Sequence, residues 1–216
     1  MDDSGRQNPE FLGAGFAQAQ AYDQWFERYA GAFASEVKLL KSLLPHFHSA
    51  LEIGVGTGRF AQALGVFLGL EPEPAMAARA QQRGIQVIAG RAEALPFAAN
   101  AFDLVLMVTV LCFVKDRHQA LQEAKRVTQP GGYLLIGTLD PAQIWVQKRL
   151  QEGHFLSQAT PISLAQLQSE LLAAGWQEQN CAQTLVNEPQ PENLPEPFSL
   201  GRGEGGFVGW LWQKPV

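Results

Sequence analysis

The chain has 216 residues, 46% of them hydrophobic and 17% charged, with a formal net charge of −5 at pH 7. That is enough apolar material for one domain with a sizeable core, and it excludes a natively unstructured chain. No run of Lys or Arg exceeds two residues, so the basic patch that would neutralise nucleic-acid phosphates or an acidic membrane surface is not expected.

From about Ala14 to Leu44 the spacing of Phe16, Trp25, Phe26, Tyr29, Phe33, Val37, Leu40 and Leu44 predicts a helix, closed by Pro45. Strand-like runs then follow at Ala50–Ile53, Val66–Leu70, Gln86–Ala89, Phe102–Val108 and Tyr133–Thr138, alternating with helices at Arg59–Leu64, Pro74–Arg83 and Asp116–Val127. The run FDLVLMV at Phe102–Val108 is apolar almost throughout, as in a parallel strand covered on both faces. Alternation of this kind indicates a doubly wound α/β sheet. A helix is expected at Gln143–Gln151, and another at Ser163–Ala174, ended by Gly175. Trp176–Val186 and Phe207–Gln213 read as strands, and the Pro/Gly-rich stretch 187–206 between them as a long loop, either a binding lid or a solvated excursion.

Cys112 and Cys181 belong to no CxxC pair, and His46, His48, His118 and His154 form no ligand set, so neither a metal site nor a disulfide is expected. The N-terminal MDDSGRQNPE is polar and acidic, unlike a leader. No apolar stretch reaches the ~20 residues that a membrane helix needs. The expectation is a soluble, cytoplasmic protein with no membrane or nucleic-acid partner.

The stretch LEIGVGTGRF places Gly54, Gly56 and Gly58 directly after a strand. Such a turn exposes backbone N–H groups to a ligand with no Cβ in the way. A dinucleotide fingerprint needs its third glycine at position 59, where Arg59 stands, and a P-loop needs a Lys and a hydroxyl residue that Arg59-Phe60 does not supply. Both phosphate readings weaken. Glu71, at the tip of the second strand, has lone pairs for both hydroxyls of a ribose. Glu52, just before the turn, favours a ligand carrying an ammonium and a sulfonium over a diphosphate.

These residues carry a resemblance. Glu52-Ile53-Gly54-Val55-Gly56-Thr57-Gly58 is similar to the first motif, (D/E)-x-G-x-G-x-G, of class I S-adenosylmethionine-dependent methyltransferases. Gly69-Leu70-Glu71-Pro72-Glu73-Pro74-Ala75-Met76 resembles their second-strand segment. Gly90-Arg91-Ala92-Glu93-Ala94-Leu95-Pro96-Phe97 with Phe102-Asp103 resembles their third, and Arg126-Val127 with Pro130-Gly131-Gly132 the lead into their fifth strand. The subgroup most like it is the small type that includes the ubiquinone and menaquinone methyltransferases. The resemblance implies a Rossmann-like, mostly parallel seven-stranded sheet with the last strand antiparallel. It implies one domain overall, with residues 1–45 as a helical cap over the active site and 46–216 as the cofactor-binding part.

It also implies S-adenosylmethionine as cofactor, with Gly54, Gly56 and Gly58 on its methionine portion and Glu52 near its amino group. Glu71, with the adjoining Pro72, matches the ribose position, and Ala92 and Glu93 the adenine edge. Met76 matches the adenine side or simply a buried helix face. Arg91 stands where relatives often have an Asp that contacts the adenine amino group, a departure that leaves this contact to Glu93 or to backbone. Thr109 and Cys112 follow the fourth strand, where relatives face the methyl group and the acceptor; for Cys112 the alternative is a small buried hydrophobe. Tyr22-Asp23-Gln24-Trp25-Phe26 resembles a segment that folds over the cofactor, so Tyr22 and Trp25 are shielding candidates, with core packing as the alternative. The implied activity is methyl transfer to a small-molecule acceptor by in-line displacement, with positioning and no assigned base. Rival readings are a non-catalytic S-adenosylmethionine-binding regulator, a nicotinamide enzyme on the same sheet, and methylation of RNA or protein.

Overall fold

A computed structural model describes residues 9–151 and 159–216, with side chains from residue 18 onward. Residues 1–8 of the expected cap, the side chain of Phe16 and His154 lie outside the described residues. The helices are α1 (Pro9–Arg28), α2 (Ala30–Leu43), α3 (Arg59–Leu64), α4 (Pro74–Gln82), α5 (Arg117–Val127), α6 (Ile144–Gln151) and α7 (Leu164–Ala173). The strands are β1 (Ala50–Ile53), β2 (Leu68–Leu70), β3 (Gln86–Ile88), β4 (Phe102–Val108), β5 (Thr128–Leu139), β6 (Gln177–Thr184), β7 (Ser199–Leu200) and β8 (Phe207–Gln213).

The strands form one mixed sheet in the order β3-β2-β1-β4-β5-β8-β6-β7. β3, β2, β1, β4 and β5 are parallel neighbours, and the final strand β8 runs antiparallel between β5 and β6. The fold is therefore an α/β Rossmann-like sheet of eight strands, one more than expected. The extra strand is β7, where Ser199 and Leu200 pair with Gln183 and Ala182. It lies inside the Pro/Gly-rich stretch, and two residues are too few to show alternation in the sequence.

β4 explains its own composition. Leu104, Leu106 and Val108 enter the core on the side of α2 and α3, while Val105 and Met107 enter the core on the side of α5 and α7. Both faces are covered, so no position in the strand interior has to be polar. Strand order reverses between β1 and β4, and in sheets of this kind the crevice beyond the strand ends at that reversal holds the ligand.

The single helix expected over Ala14–Leu44 is two. Tyr29 leaves helical geometry (φ −110°, ψ 48°) between α1 and α2. Turn-type backbone bonds persist on both sides of it, from Tyr29 N to Trp25 O (2.8 Å) and from Phe33 N to Tyr29 O (3.1 Å). The apolar period therefore passes through the break undisturbed. β5 begins earlier than the expected Tyr133, because Thr128 pairs with Phe102 ahead of a bulge that absorbs Pro130-Gly131. Among the described residues, no helix is long and apolar enough to cross a membrane.

Gly31 shows how the 187–206 stretch is seated. A Cβ there would run into the backbone oxygen of Asn193. Helix propensity alone makes Gly31→Ala stabilising by about 1 kcal/mol, whereas the contact makes it destabilising by about 1–3 kcal/mol. Urea unfolding of the variant is expected to show the loss, and a gain in stability would contradict this packing.

Candidate active site

β1 ends at Ile53, and the turn after it is sewn to the end of β2: Gly54 N and Val55 N both donate to Leu70 O, at 2.8 and 3.0 Å. Gly56 has φ +55°, and a Cβ on it would point toward the hydroxyl of Tyr22, 4.0 Å away. Gly58 serves differently. It caps α3 at φ +82°, and a Cβ there would meet Ala80 Cα at 3.0 Å. Its bareness lets α3 and α4 approach, and it is not among the cleft-lining residues.

A cleft of about 350 Å³ opens beyond the ends of β1, β2 and β4. Of the residues singled out from sequence, Tyr22, Gly54, Gly56, Glu71, Pro72, Met76, Ala92, Glu93 and Thr109 all line it. Glu52, Gly58, Trp25 and Cys112 do not. Glu71, Glu73 and Glu93 face Arg91 as the charged groups of the wall, a balance that attracts a cation and disfavours a diphosphate.

Glu71 is buried, and both its oxygens are engaged. Oε2 accepts from Gly56 N at 2.8 Å and Oε1 from Glu73 N at 3.0 Å. One acid thus holds the glycine turn against the turn that follows β2. Each carboxylate oxygen has a second lone pair, so two hydroxyl donors can still be accepted. Burial raises its carboxyl pKa, against the lowering effect of those two N–H groups.

Glu93 is less free than its motif position implies. Its Oε1 accepts from Lys115 N (3.2 Å), Asp116 N (3.5 Å) and Arg91 Nη2 (3.4 Å). Against some burial, these bonds hold it below the usual carboxylate range. Glu93 therefore anchors the loop before α5, which leaves its other oxygen and the neighbouring backbone facing the cleft.

Thr109 ends β4 with φ +51°, a conformation that a β-branched residue adopts only under constraint. Its N–H donates to Gly137 O at 2.7 Å, and its side chain shares a hydrogen bond with Tyr22. Burial, together with the carboxyls of Glu52 and Glu36, pushes the Tyr22 phenol further up. It stays protonated near neutral pH. Glu52 is 1% exposed under the glycine turn, and its Oε2 has no partner. Burial drives its carboxyl well above the ordinary value.

The remaining candidates line two smaller cavities, and Thr109 is a wall of both. Cys112 shares one of about 30 Å³ with Leu111, Thr138 and Ile162. Burial pushes its thiol up to about 11, so it is not a thiolate at neutral pH. Trp25 shares one of about 40 Å³ with Phe26, Glu36, Phe60 and Trp145. Among the described residues, no group of three or more His, Cys, Asp or Glu is placed to hold a metal ion.

Sequence reading passed over Asp23. This buried carboxylate accepts four side-chain hydrogen bonds: Oδ1 from Thr57 Oγ1 (2.8 Å) and Arg59 Nε (2.7 Å), Oδ2 from Arg79 Nη1 (3.0 Å) and Arg83 Nη2 (2.8 Å). It ties α1, and so Tyr22, to the glycine turn, α3 and α4. Arg79 on α4 and Arg83 at its C-cap, four residues apart, were the available signal for an acid opposite them.

With this geometry in place, the relatives are informative. The Methyltransferase domain family matches residues 51–136. A Thermotoga maritima structure, described as a SAM-dependent methyltransferase and possible histamine N-methyltransferase, is 38% identical. The match covers 92% of this chain and 97% of that one, with a TM-score of 0.88. An uncharacterized protein of Methanocaldococcus jannaschii is 35% identical over 199 residues, 91% of this chain and 96% of its own. A demethylmenaquinone methyltransferase of Shouchella clausii is 34% identical over 121 residues, 50% of this chain and 52% of its own. The chain belongs to the class I S-adenosylmethionine-dependent methyltransferases, and S-adenosylmethionine is its cofactor.

Asp23 yields a pH prediction. Burial acts to raise its pKa, but the bonds from Arg59, Arg83 and Thr57 outweigh burial and bring it from 3.8 to about 2. A depressed carboxylate stabilises the fold above its unfolded pKa, and that contribution fades as pH falls through the folded value. Relative to Asp23→Asn, the native chain is expected to be more stable by roughly 2 kcal/mol at pH 6, with the difference closing between about pH 4 and 2. Denaturant titrations across that range check it, and a pH-independent difference would refute it.

Proposed function

We propose that this chain transfers a methyl group to a small-molecule acceptor by in-line displacement, with the cleft beyond β1, β2 and β4 holding the cofactor. The observation that carries the reading is the joint geometry of Gly56 and Glu71: bare backbone on one side of the cleft, and on the other an acid with one free lone pair on each oxygen. A ribose fits that acid, and a ligand lying along the turn meets no side chain. The acidic cleft wall suits a cationic ligand.

The bound cofactor supplies an activated methyl group, so the protein's share of catalysis is positioning and exclusion of water. In this reading Glu71 fixes the sugar and Gly54 and Gly56 let the methionine portion approach. Ala92 with the adjoining backbone takes the adenine edge, next to Pro72 and Met76. Tyr22 and Thr109, bonded to each other, close the wall, and the protonated phenol is not a base. Residues 1–45 act as the cap, because α1 carries Tyr22 into the cleft.

Within the family we place the chain with the small subgroup that includes the ubiquinone and menaquinone methyltransferases. The order of the four motifs and the partial match to a quinone-pathway relative support this. The acceptor is not carried over with it. The description of the Thermotoga protein puts amines on the panel of acceptors to test.

Isothermal titration with S-adenosylhomocysteine, followed by assays for its release from S-adenosylmethionine across amines, thiols and phenols, tests the reading. Binding with no turnover on any acceptor would favour a non-catalytic regulator instead. Gly56→Val is expected to abolish cofactor binding, since its side chain would fill the gap below Tyr22. Glu71→Ala is expected to weaken it by about 1–3 kcal/mol. Undiminished affinity in both variants would remove the ligand from this turn.

A further inference from the structure

We infer that the small cavity walled by Trp25, Phe26, Glu36, Phe60 and Trp145 is the acceptor subsite, that it takes a primary or secondary amine, and that Glu36 receives the ammonium proton. The inference rests on the methyl-transfer reading above, because it places the nucleophile beside Thr109.

The position comes first. Thr109 lines this cavity and also the cofactor cleft. Phe26, on the cavity side, packs edge-on against Tyr22, on the cleft side, with centroids 4.9 Å apart. The two spaces therefore meet at Thr109, with the Tyr22–Phe26 pair beside it.

The chemistry of the lining is equally specific. Glu36 on α2 is 4% exposed. Among the described residues no hydrogen bond to its carboxyl is recorded, and Glu36 lines the cavity. Around it stand aromatic rings: Trp25 and Phe26 are T-shaped at 4.9 Å, and Phe26 and Phe60 at 5.8 Å. A carboxyl set among aromatic rings can take a bound ammonium. A buried carboxyl with nothing to pair with is costly, and an amine N–H supplies the missing donor.

Two other ionisable groups face Glu36. Tyr22 on α1 lies within electrostatic reach and stays protonated. Arg149 on α6 lines the same cavity, but its guanidinium is seated over the Tyr29 ring at 4.7 Å and the Trp25 ring at 5.8 Å, and its Nη2 donates to Pro189 O at 3.2 Å. The remaining walls from α3, β5 and the β4 end are Phe60, Leu139 and Thr109, none of which titrates near neutral pH.

The proton balance follows. Burial pushes Glu36 up to about 8, so at pH 7 the free protein holds it mostly protonated. Docking of R–NH3+ expels that proton to solvent and leaves a carboxylate facing the ammonium. The ammonium N–H bond then breaks: the proton forms a carboxyl O–H, and the bonding pair remains on nitrogen as the lone pair that a nucleophile needs. Charge is conserved, since a cation and an anion become two neutral groups.

The test uses the full chain saturated with S-adenosylhomocysteine. It is titrated calorimetrically with methylamine, dimethylamine and n-propylamine, and with propionate as a carboxylate of similar size, in buffers of differing ionisation enthalpy. At least one amine is expected to bind with release of close to one proton at pH 7, and roughly tenfold more tightly at pH 7 than at pH 6. Glu36→Gln should weaken that binding roughly tenfold or more and abolish proton release, with S-adenosylhomocysteine affinity unchanged. Glu36→Asp should restore part of the proton release. If S-adenosylhomocysteine binds while no amine does, if the carboxylate binds instead, or if proton release survives in Glu36→Gln, the subsite assignment is overturned and the methyl-transfer reading stands. Failure of S-adenosylhomocysteine itself to bind the native chain would defeat that reading instead.

Discussion

The carboxylate of Asp23 accepts two donors on each oxygen, from the glycine turn, α3 and α4. Nearly everything around the cleft depends on this convergence. α1 carries both Tyr22, which lines the cofactor cleft, and Trp25 and Phe26, which line the neighbouring cavity. A helix lying over a cleft buries little on its cleft-facing side, so apolar packing alone would hold it loosely. A charge paired with three guanidinium groups fixes its rotation and its height instead. Three cations on one anion is also more than neutralisation requires. The excess is shared out: Arg59 reaches on to Glu27, and Arg83 to the carbonyl of Thr57, at 3.1 and 2.7 Å.

Glu71 does the same on a smaller scale. It cross-links the two turns that frame the cleft by accepting one N–H from each. The site is thus arranged before any ligand arrives, and a ligand does not have to supply the ordering itself. Thr109 adds a third fixed point, held in left-handed geometry by its bond to Gly137 and by Tyr22. Strain of that kind persists only where the surroundings over-determine it, and here it falls on the residue common to the cleft and both smaller cavities.

What could be read from the sequence, and what could not, divides along one physical line. Local signals were legible. β4 announced itself by a nearly unbroken apolar run, the end of α7 by Gly175, and the cleft by Gly54, Gly56 and Glu71 at fixed offsets from strand ends. Groups whose character is conferred by distant segments were not. Nothing near Asp23 marks it as the partner of Arg59, Arg79 and Arg83. Nothing near Glu36 marks it as buried, since Phe60, Leu139 and Trp145 come from three other elements. Gly58 was assigned with its neighbours because the motif is contiguous, yet the helix that needs its missing Cβ lies more than twenty residues on, at Ala80. The turn at Tyr29 escaped because a break that keeps the hydrogen-bond chain also keeps the apolar period.

The eighth strand has an effect beyond the active site. β6 would otherwise end the sheet with its whole length open to pairing. β7 covers only Ala182 and Gln183, and the uncovered part of β6, Gln177 to Asn180, is polar and exposed. A newcomer strand would find two ladder positions already taken and a hydrophilic remainder with little to bury. β7 therefore works as a guard against edge-to-edge self-assembly, at the edge of the sheet opposite β3.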